Sequence, residues 1–341
     1  MGEFDLIKRF FTRATPRAVL GVGDDCALLQ PRPGMQLAIS TDMLVSGRHF
    51  FAEVDPRALG HKALAVNLSD LAACGATPIA FTLALSLPEA DEAWLEPFSQ
   101  GLLALADVHG CELVGGDTTK GPLTICITVF GEVPAGQALL RSGAQAADDV
   151  YVSGTLGDAS LALAQMLAER AGTEGLPADI RLNAADLALA RQRLEQPTPR
   201  LALGLALRGV ATAAADISDG LLGDLGHLLE RSGVGATLDT QKALGLLGAP
   251  QRSVQSAAPL GEPALRQRLL QHVLSGGDDY ELVFTAAPAQ RAAVQAAAQA
   301  SQTPVTRIGR IDSAPGLRLQ DAQGQLLEQR FQSFDHFAAS A

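Results

Sequence analysis

Motifs missing from this 341-residue chain rule out several familiar chemistries. None of its lysines, Lys8, Lys62, Lys120 and Lys242, follows a glycine, so the GK[ST] loop of P-loop nucleotide enzymes is absent. There is no HRD or DFG set of a protein kinase, no GxSxG elbow and no HExxH zinc motif. Cysteine is scarce: Cys26, Cys74, Cys111 and Cys126 form no CxxC pair, which predicts free buried thiols in place of a disulfide framework or zinc site. No apolar run approaches the roughly 18 residues of a bilayer span, because Gly, Pro, Asp or Arg interrupts each one. Basic runs are missing too: 26 Lys and Arg stand against 37 Asp and Glu, and a net charge of −11 argues against neutralising duplex phosphates. The first residues, MGEFDLIKRFF, lack the basic and apolar stretches of a secretion signal, so the chain is expected in the cytoplasm.

What is present is an ordinary globular composition, 47% hydrophobic and 18% charged, in a chain long enough for two domains. Residues 35–40 read as a strand, 61–75 as a helix closed by Gly75, 79–87 as a strand and 92–108 as a helix. Strands are predicted over 112–114 and 123–133. A stretch of small and polar residues at 134–149 marks a connection, which places an N-terminal domain over 1–137, a linking segment over 138–149 and a C-terminal domain over 150–341. The second half repeats the alternation: strand 150–153, helix 158–171, helix 200–208, strand 212–217, helix 218–231 and strand 281–285, with 242–263 read as a loop-rich insertion.

The acidic residues are not scattered. Asp24 and Asp25 lie in GVGDDC, Asp42 in AISTDM, Asp70 in NLSDLAACGA, Asp117 in VGGDTT, Asp216 and Asp219 in AADISDG, and Asp278 and Asp279 in SGGDDYE. Most of these aspartates sit where an apolar segment meets a Gly-rich or hydroxyl-rich turn. Short carboxylates held at strand ends make the oxygen-rich environment that Mg²⁺ shares with substrate phosphates, and glycine lets turn amides approach a phosphate. Ser40, Thr41, Asn67, Thr118 and Ser218 add neutral oxygens. One Asp beside Gly is ordinary turn and cap chemistry, and Asp158 in GTLGDAS reads as a helix N-cap. Six clusters of one type point instead to a shared site. Lys62, Val66 and Asp70 share one helical face with Asn67 beside them, a polar stripe that a core helix does not carry without partners. GVGDDC begins like a dinucleotide fingerprint, but Cys26 stands where the third Gly belongs and no helix follows, so it reads as a turn.

The strings GVGDDCALL, ISTDMLVSGRHF, KALAVNLSDLAACGATP, LVGGDTT, RSGA, ISDGLLGDLGHL and SGGDDYELVF run in that order along almost the whole chain, which ends near SFDHF. Together they resemble the thiamine-monophosphate kinase family, within the superfamily that includes aminoimidazole ribonucleotide synthetase and selenophosphate synthetase. The resemblance implies an α/β (α+β) fold of two aminoimidazole ribonucleotide synthetase-like domains, mixed sheets with helices packed on one face. It implies an N-terminal domain that binds ATP and Mg²⁺ and dimerises, and a C-terminal domain that completes the nucleotide and substrate sites. Carried onto this chain, it gives Asp25, Ser40, Thr41, Asp42, Asp70, Asp117, Asp216 and Asp219 as ligands of several Mg²⁺ ions. Gly116, Asp117, Arg141 and Ser218 correspond to contacts with ATP, and His49, Asp278 and Phe334 to contacts with thiamine monophosphate. Family members usually carry Glu at the position of Asp278 and Tyr or Trp at that of Phe334. Asp is one methylene shorter, and Phe keeps the stacking face without the polar handle, so the same substrate with altered affinity is expected.

The implied reaction moves the γ-phosphoryl group of ATP to thiamine monophosphate, giving thiamine diphosphate and ADP in a homodimer, with neither membrane nor nucleic acid as partner. Its acceptor oxygen is already anionic near neutral pH, so no residue is needed as general base. Charge neutralisation and positioning remain the protein's task. Arg141 offers a fork that Lys would not, and Asp278 with Phe334 suits a cationic ring. A second enzyme type of the superfamily, activating an acyl or amide oxygen, would need a Cys or Lys in the N-terminal segment, where residues 1–19 hold only Lys8. A non-catalytic nucleotide or cation module is the alternative of a different class.

Overall fold

The computed structural model describes residues 2–173, 176–177, 179–248, 263–328 and 331, in two compact units, Met1–Ala138 and Leu139–Ala341. In the first unit, α1 (Glu3–Leu6) runs into a π-helical turn at Ile7–Phe11. Then come β1 (Met35–Val45), α2 (Pro56–Ala73), β2 (Thr77–Leu87), α3 (Glu92–His109), β3 (Glu112–Lys120) and β4 (Thr124–Pro134). The strands form one mixed sheet in the order β1-β4-β2-β3, antiparallel except for the β2–β3 pair. The crossover between those parallel strands is α3, the connection a parallel pair requires.

Both strands that carry acidic motifs are longer than the sequence predicts. Strand β1 continues past Ser40 to Val45 because β4 pairs with it along its full length, so Asp42 stands in mid-strand opposite Ile127 and not at a strand end. Successive side chains of a strand face opposite sides. Ser40, Asp42 and Leu44 therefore share the face toward α2, while Leu37, Ile39, Thr41 and Met43 lie exposed on the other. Strand β3 was expected to stop at Val114, but β2 draws it on through the glycines to Lys120, with Val114 left over where Leu113 opposes Phe81 and Gly115 opposes Thr82. Gly116 sits at φ +150°, and a Cβ there would lie 1.8 Å from the Leu83 carbonyl oxygen. Only glycine lets β3 pass at this point.

Helix α2 begins at Pro56, five residues before the predicted start, because the Asp55 carboxylate accepts the Arg57 and Ala58 amides and Pro56 takes the first helical position. Helices α2 and α3 touch backbone to backbone: a Cβ on Gly60 would lie 2.0 Å from Phe98 O, and one on Gly101 1.9 Å from Arg57 O. Leu64, Leu68 and Leu71 of α2 and Phe98 and Leu102 of α3 are buried.

The second unit contains β5 (Asp149–Ser153), α4 (Asp158–Arg170), α5 (Ala184–Glu195), α6 (Leu201–Ala206), β6 (Ala213–Ile217), α7 (Leu221–Ser232) and β7 (Gly235–Asp239). It continues with α8 (Thr240–Leu244), α9 (Pro263–Ser275), β8 (Glu281–Ala286), α10 (Arg291–Ala300), β9 (Val305–Asp312) and β10 (Gly316–Gln320). Its six strands order as β10-β7-β9-β5-β8-β6, parallel only between β10 and β7. Val150, Val152, Leu225, Leu228, Leu270, Leu274 and Val283 belong to one core cluster. Part of the stretch read as a loop, 242–248, is described and opens inside α8, whose N-cap is Asp239; 249–262 lie outside the described residues.

Two expectations are corrected. Asp158 is not an N-cap: Gly157 holds that position at φ +87°, and the Asp158 carboxylate accepts Thr155 Oγ1 at 3.0 Å and the Gly248 amide at 3.1 Å. The four free cysteines are not uniformly buried; only Cys111 is, Cys74 and Cys126 are half-buried and Cys26 is exposed. Among the described residues no helix is long and apolar enough to cross a membrane.

Candidate active site

The predicted residues gather in three separate groups, two in the first unit and one in the second. The first lies between β1 and α2. Ser40 Oγ donates to Asp70 Oδ2 at 2.5 Å, and the Asp42 amide donates to Asn67 Oδ1 at 3.0 Å. Buried Asn67 is steadied in turn by donating its Nδ2 to Ala63 O at 3.0 Å. Strand period two and helical spacing three thus set Ser40 and Asp42 against Asn67 and Asp70. The carboxylates are felt nearby: burial first, then Asp70, raises the Cys74 thiol, and burial first, then Asp42, raises Cys126. Thr41 belongs to the opposite face, where its hydroxyl meets that of Thr128 at 2.9 Å.

The second group lines a cavity of about 660 Å³ between the N-terminal segment and β3. Asp24, Asp25, Gly116, Asp117 and Thr118 supply its polar wall, and Phe4, Ile7 and Phe11 an apolar one. The Asp25 amide donates to Asp24 Oδ1 at 2.8 Å, closing the turn read in GVGDDC.

In the second unit, the ISDG segment ends β6. The Asp224 carboxylate accepts the Ser218 and Asp219 amides at 3.0 and 3.1 Å, which shapes the turn and delays α7 to Leu221 instead of the predicted Ser218. Burial pushes Asp224 up to about 7, with the charge of Asp219 adding to the rise and the two amides and Arg141 opposing it. Ser232 Oγ donates to Arg141 O at 3.2 Å and accepts the Gly143 and Ala144 amides, each at 3.2 Å, so the RSGA motif is tied to the end of α7. Asp216 is buried on β6 opposite Leu282. The Asp278 amide donates to Ser218 O at 2.9 Å, which joins the SGGDDYE segment to the same turn.

His49, half-buried after β1, accepts the Val45 amide on Nδ1 at 3.0 Å. Phe334 lies outside the described residues. Sequence reasoning missed Asp224, visible only as an Asp in the first turn of a helix, and the ion-paired set of buried Glu281 with half-buried Arg193 and Arg200, which left no local signal. Among the described residues no three His, Cys, Asp or Glu side chains converge as a ready-made metal cage. Hard oxygen donors in ones and twos are nonetheless what Mg²⁺ takes when phosphates complete its shell. Ser40, Asp42 and Asp70, and separately Asp25 and Asp117, fit that chemistry.

Two mixed-sheet units with Asp and Gly segments along their strands define an AIR synthase related protein. The N-terminal domain model of that family matches residues 23–133 and the C-terminal domain model residues 145–322. A thiamine-monophosphate kinase of Salmonella typhimurium strain LT2 is 44% identical over 341 residues, 99% of this chain and 98% of that protein. The chain belongs to the thiamine-monophosphate kinase family. The crystal structure of thiamine-monophosphate kinase from Stenotrophomonas maltophilia K279a matches with a TM-score of 0.78 at 46% identity, covering 95% of this chain and 96% of that one. AaThiL complexed with AMPPCP and TMP matches with a TM-score of 0.72 at 29% identity, covering 98% and 96%. The resemblance carried by the motifs, and the two-domain α/β fold it implies, are borne out.

Proposed function

We propose that the protein phosphorylates thiamine monophosphate with ATP, giving thiamine diphosphate and ADP by direct Mg²⁺-assisted transfer, the last step in making thiamine diphosphate. One observation carries this reading: a relative matching 98% of this chain is complexed with AMPPCP and TMP. AMPPCP copies ATP with a bridging carbon that resists cleavage, so donor and phosphate acceptor are bound together in that relative.

Asp25, Ser40, Thr41, Asp42, Asp70, Asp117, Asp216 and Asp219 are the proposed Mg²⁺ ligands, the Thr41 hydroxyl lying on the opposite face of β1 from Ser40 and Asp42, against Thr128. When bound, Mg²⁺ neutralises phosphate charge and polarises the transferring group. The chain's own groups bind and orient. Gly116, Asp117, Arg141 and Ser218 are assigned to ATP, where the bare backbone at Gly116 allows close approach and Arg141 supplies a planar fork. His49, Asp278 and Phe334 are assigned to the acceptor, whose thiazolium cation suits a carboxylate and an aromatic face. No side chain has to remove a proton, because the acceptor phosphate is already an anion.

The N-terminal unit is proposed to form the homodimer as well. Leu37, Ile39 and Met43, exposed together on the edge strand β1, support this, since an apolar edge of this kind is normally covered. An ATP-consuming biosynthetic enzyme belongs in the cytoplasm, where ATP is made available. The test is product identity: ATP and thiamine monophosphate should give ADP and thiamine diphosphate in equal amounts. Release of inorganic phosphate in their place would favour an acyl- or amide-activating enzyme of the same superfamily.

A further inference from the structure

The segment between α9 and β8 is held in an uncommon conformation. Asp278 and Tyr280 lie at φ +66° and +50°, where non-glycine residues are rare, and the residues alternating with them, Asp279 and Glu281, are fully buried. On one side the main chain is bonded along the end of β6, Asp278 N–H to Ser218 O and Tyr280 N–H to Ile217 O, each at 2.9 Å. On the other side the buried carboxylates hold it. Asp279 accepts the Gly157 amide at 3.1 and 3.0 Å. Glu281 accepts Ser153 Oγ at 2.6 Å, Arg193 Nη2 at 2.7 Å, and Arg200 Nε and Nη2 at 2.7 and 2.5 Å. Arg193 Nη2 also donates to the main-chain oxygen of Asp279 at 3.2 Å, one residue beyond Asp278.

Two guanidiniums meet the one buried carboxylate of Glu281 here, their side chains largely but not fully withdrawn from solvent, while Asp279 is held by the Gly157 amide. Burying such a set is a weak source of stability, because desolvation offsets most of the attraction. Its geometry, however, is specific: planar guanidiniums meet one carboxylate, and one of them also bonds the main-chain oxygen that follows Asp278. We propose that Arg193 and Arg200, anchored by Glu281, are positioning residues that keep Asp278 left-handed and so aim its carboxylate at the cationic part of the acceptor. This rests on the assignment of Asp278 to the acceptor in the proposed function. Neither arginine is assigned to a substrate; each acts through the segment that carries Asp278.

A double-mutant cycle on the full-length enzyme separates positioning from general support. Arg193→Gln should raise KM for thiamine monophosphate about tenfold and leave KM for ATP within about twofold. Asp278→Ala should raise the same KM, and adding Arg193→Gln to it should change nothing further. Fold-changes that multiply in the double variant would overturn the proposal, as would an unchanged KM in Arg193→Gln alone. An unchanged KM in Asp278→Ala would remove the acceptor assignment of Asp278 and the proposal with it. If Arg193→Gln does not fold, Arg193→Lys, which keeps the charge and loses the fork, takes its place in the same cycle and is judged by the same outcomes.

Discussion

Asp42 and Asp70 come from different elements, and each is held by a neutral partner on the other: Asp42 through its amide to Asn67, Asp70 through its carboxylate to Ser40. Neither carboxylate is part of the close-packed apolar core. Asp42→Asn and Asp70→Asn should therefore each lower kcat for phosphoryl transfer at least about 10²-fold while leaving thermal unfolding within a few degrees of the parent. Wild-type turnover in either purified variant would contradict the metal assignment. Both residues were legible in the sequence because each lies next to a hydroxyl residue within an otherwise apolar run, Thr41 before Asp42 and Ser69 before Asp70. Glu281 was not, since its partners Arg200 and Arg193 stand 81 and 88 residues away, and no local pattern announces a long-range ion pair. Asp279 shows the opposite error. It shares a motif with Asp278, yet it is buried against Gly157 and its carboxyl is raised well above the usual range, chiefly by burial, so it serves the fold.

Elements with strong periodicity or clear caps, such as α3 and β4, were placed within a residue or two from sequence alone. Misplacements occurred where tertiary pairing overrides local preference. Strand β3 crosses two glycines because β2 supplies the ladder, and β1 keeps a polar ISTD run because β4 does. Helix α10, RAAVQAAAQA, was passed over although it is amphipathic, with Val294, Ala297 and Ala298 buried on one face, because alanine makes most of that face. A pH dependence belongs to this scale as well. His272 on α9 meets Ser160 Oγ on α4 at 2.9 Å through Nδ1, and burial lowers it from 6.5 to about 4. The unfolded chain then takes up a proton that the folded one refuses, so stability present above pH 6.5 is lost as pH falls toward 4. At 1.36 kcal/mol per pH unit the loss is about 3 kcal/mol. Urea unfolding at a series of pH values should show this decline in the parent and a flatter profile in His272→Gln; matching slopes would contradict it.

At the scale of the molecule, the charge balance has a local origin. Nine aspartates belong to the six motif clusters, and setting them aside leaves 28 acids against 26 bases, so the excess behind the −11 sits mostly in the candidate site. Asp279 is committed to the fold, and seven of the other eight, all but Asp24, are the ones proposed to serve cations and substrates. The proposed dimer makes its own prediction: Ile39→Asp, on the exposed face of β1, should weaken self-association at least about tenfold by sedimentation analysis. An unchanged dimer would place the interface elsewhere. The central claim, that these carboxylates serve phosphoryl transfer from ATP to thiamine monophosphate, is tested most directly by ADP release from the purified protein. The account predicts release that requires both thiamine monophosphate and Mg²⁺ and stops on chelation. Tight ATP binding with no release, or release indifferent to thiamine monophosphate, would contradict it.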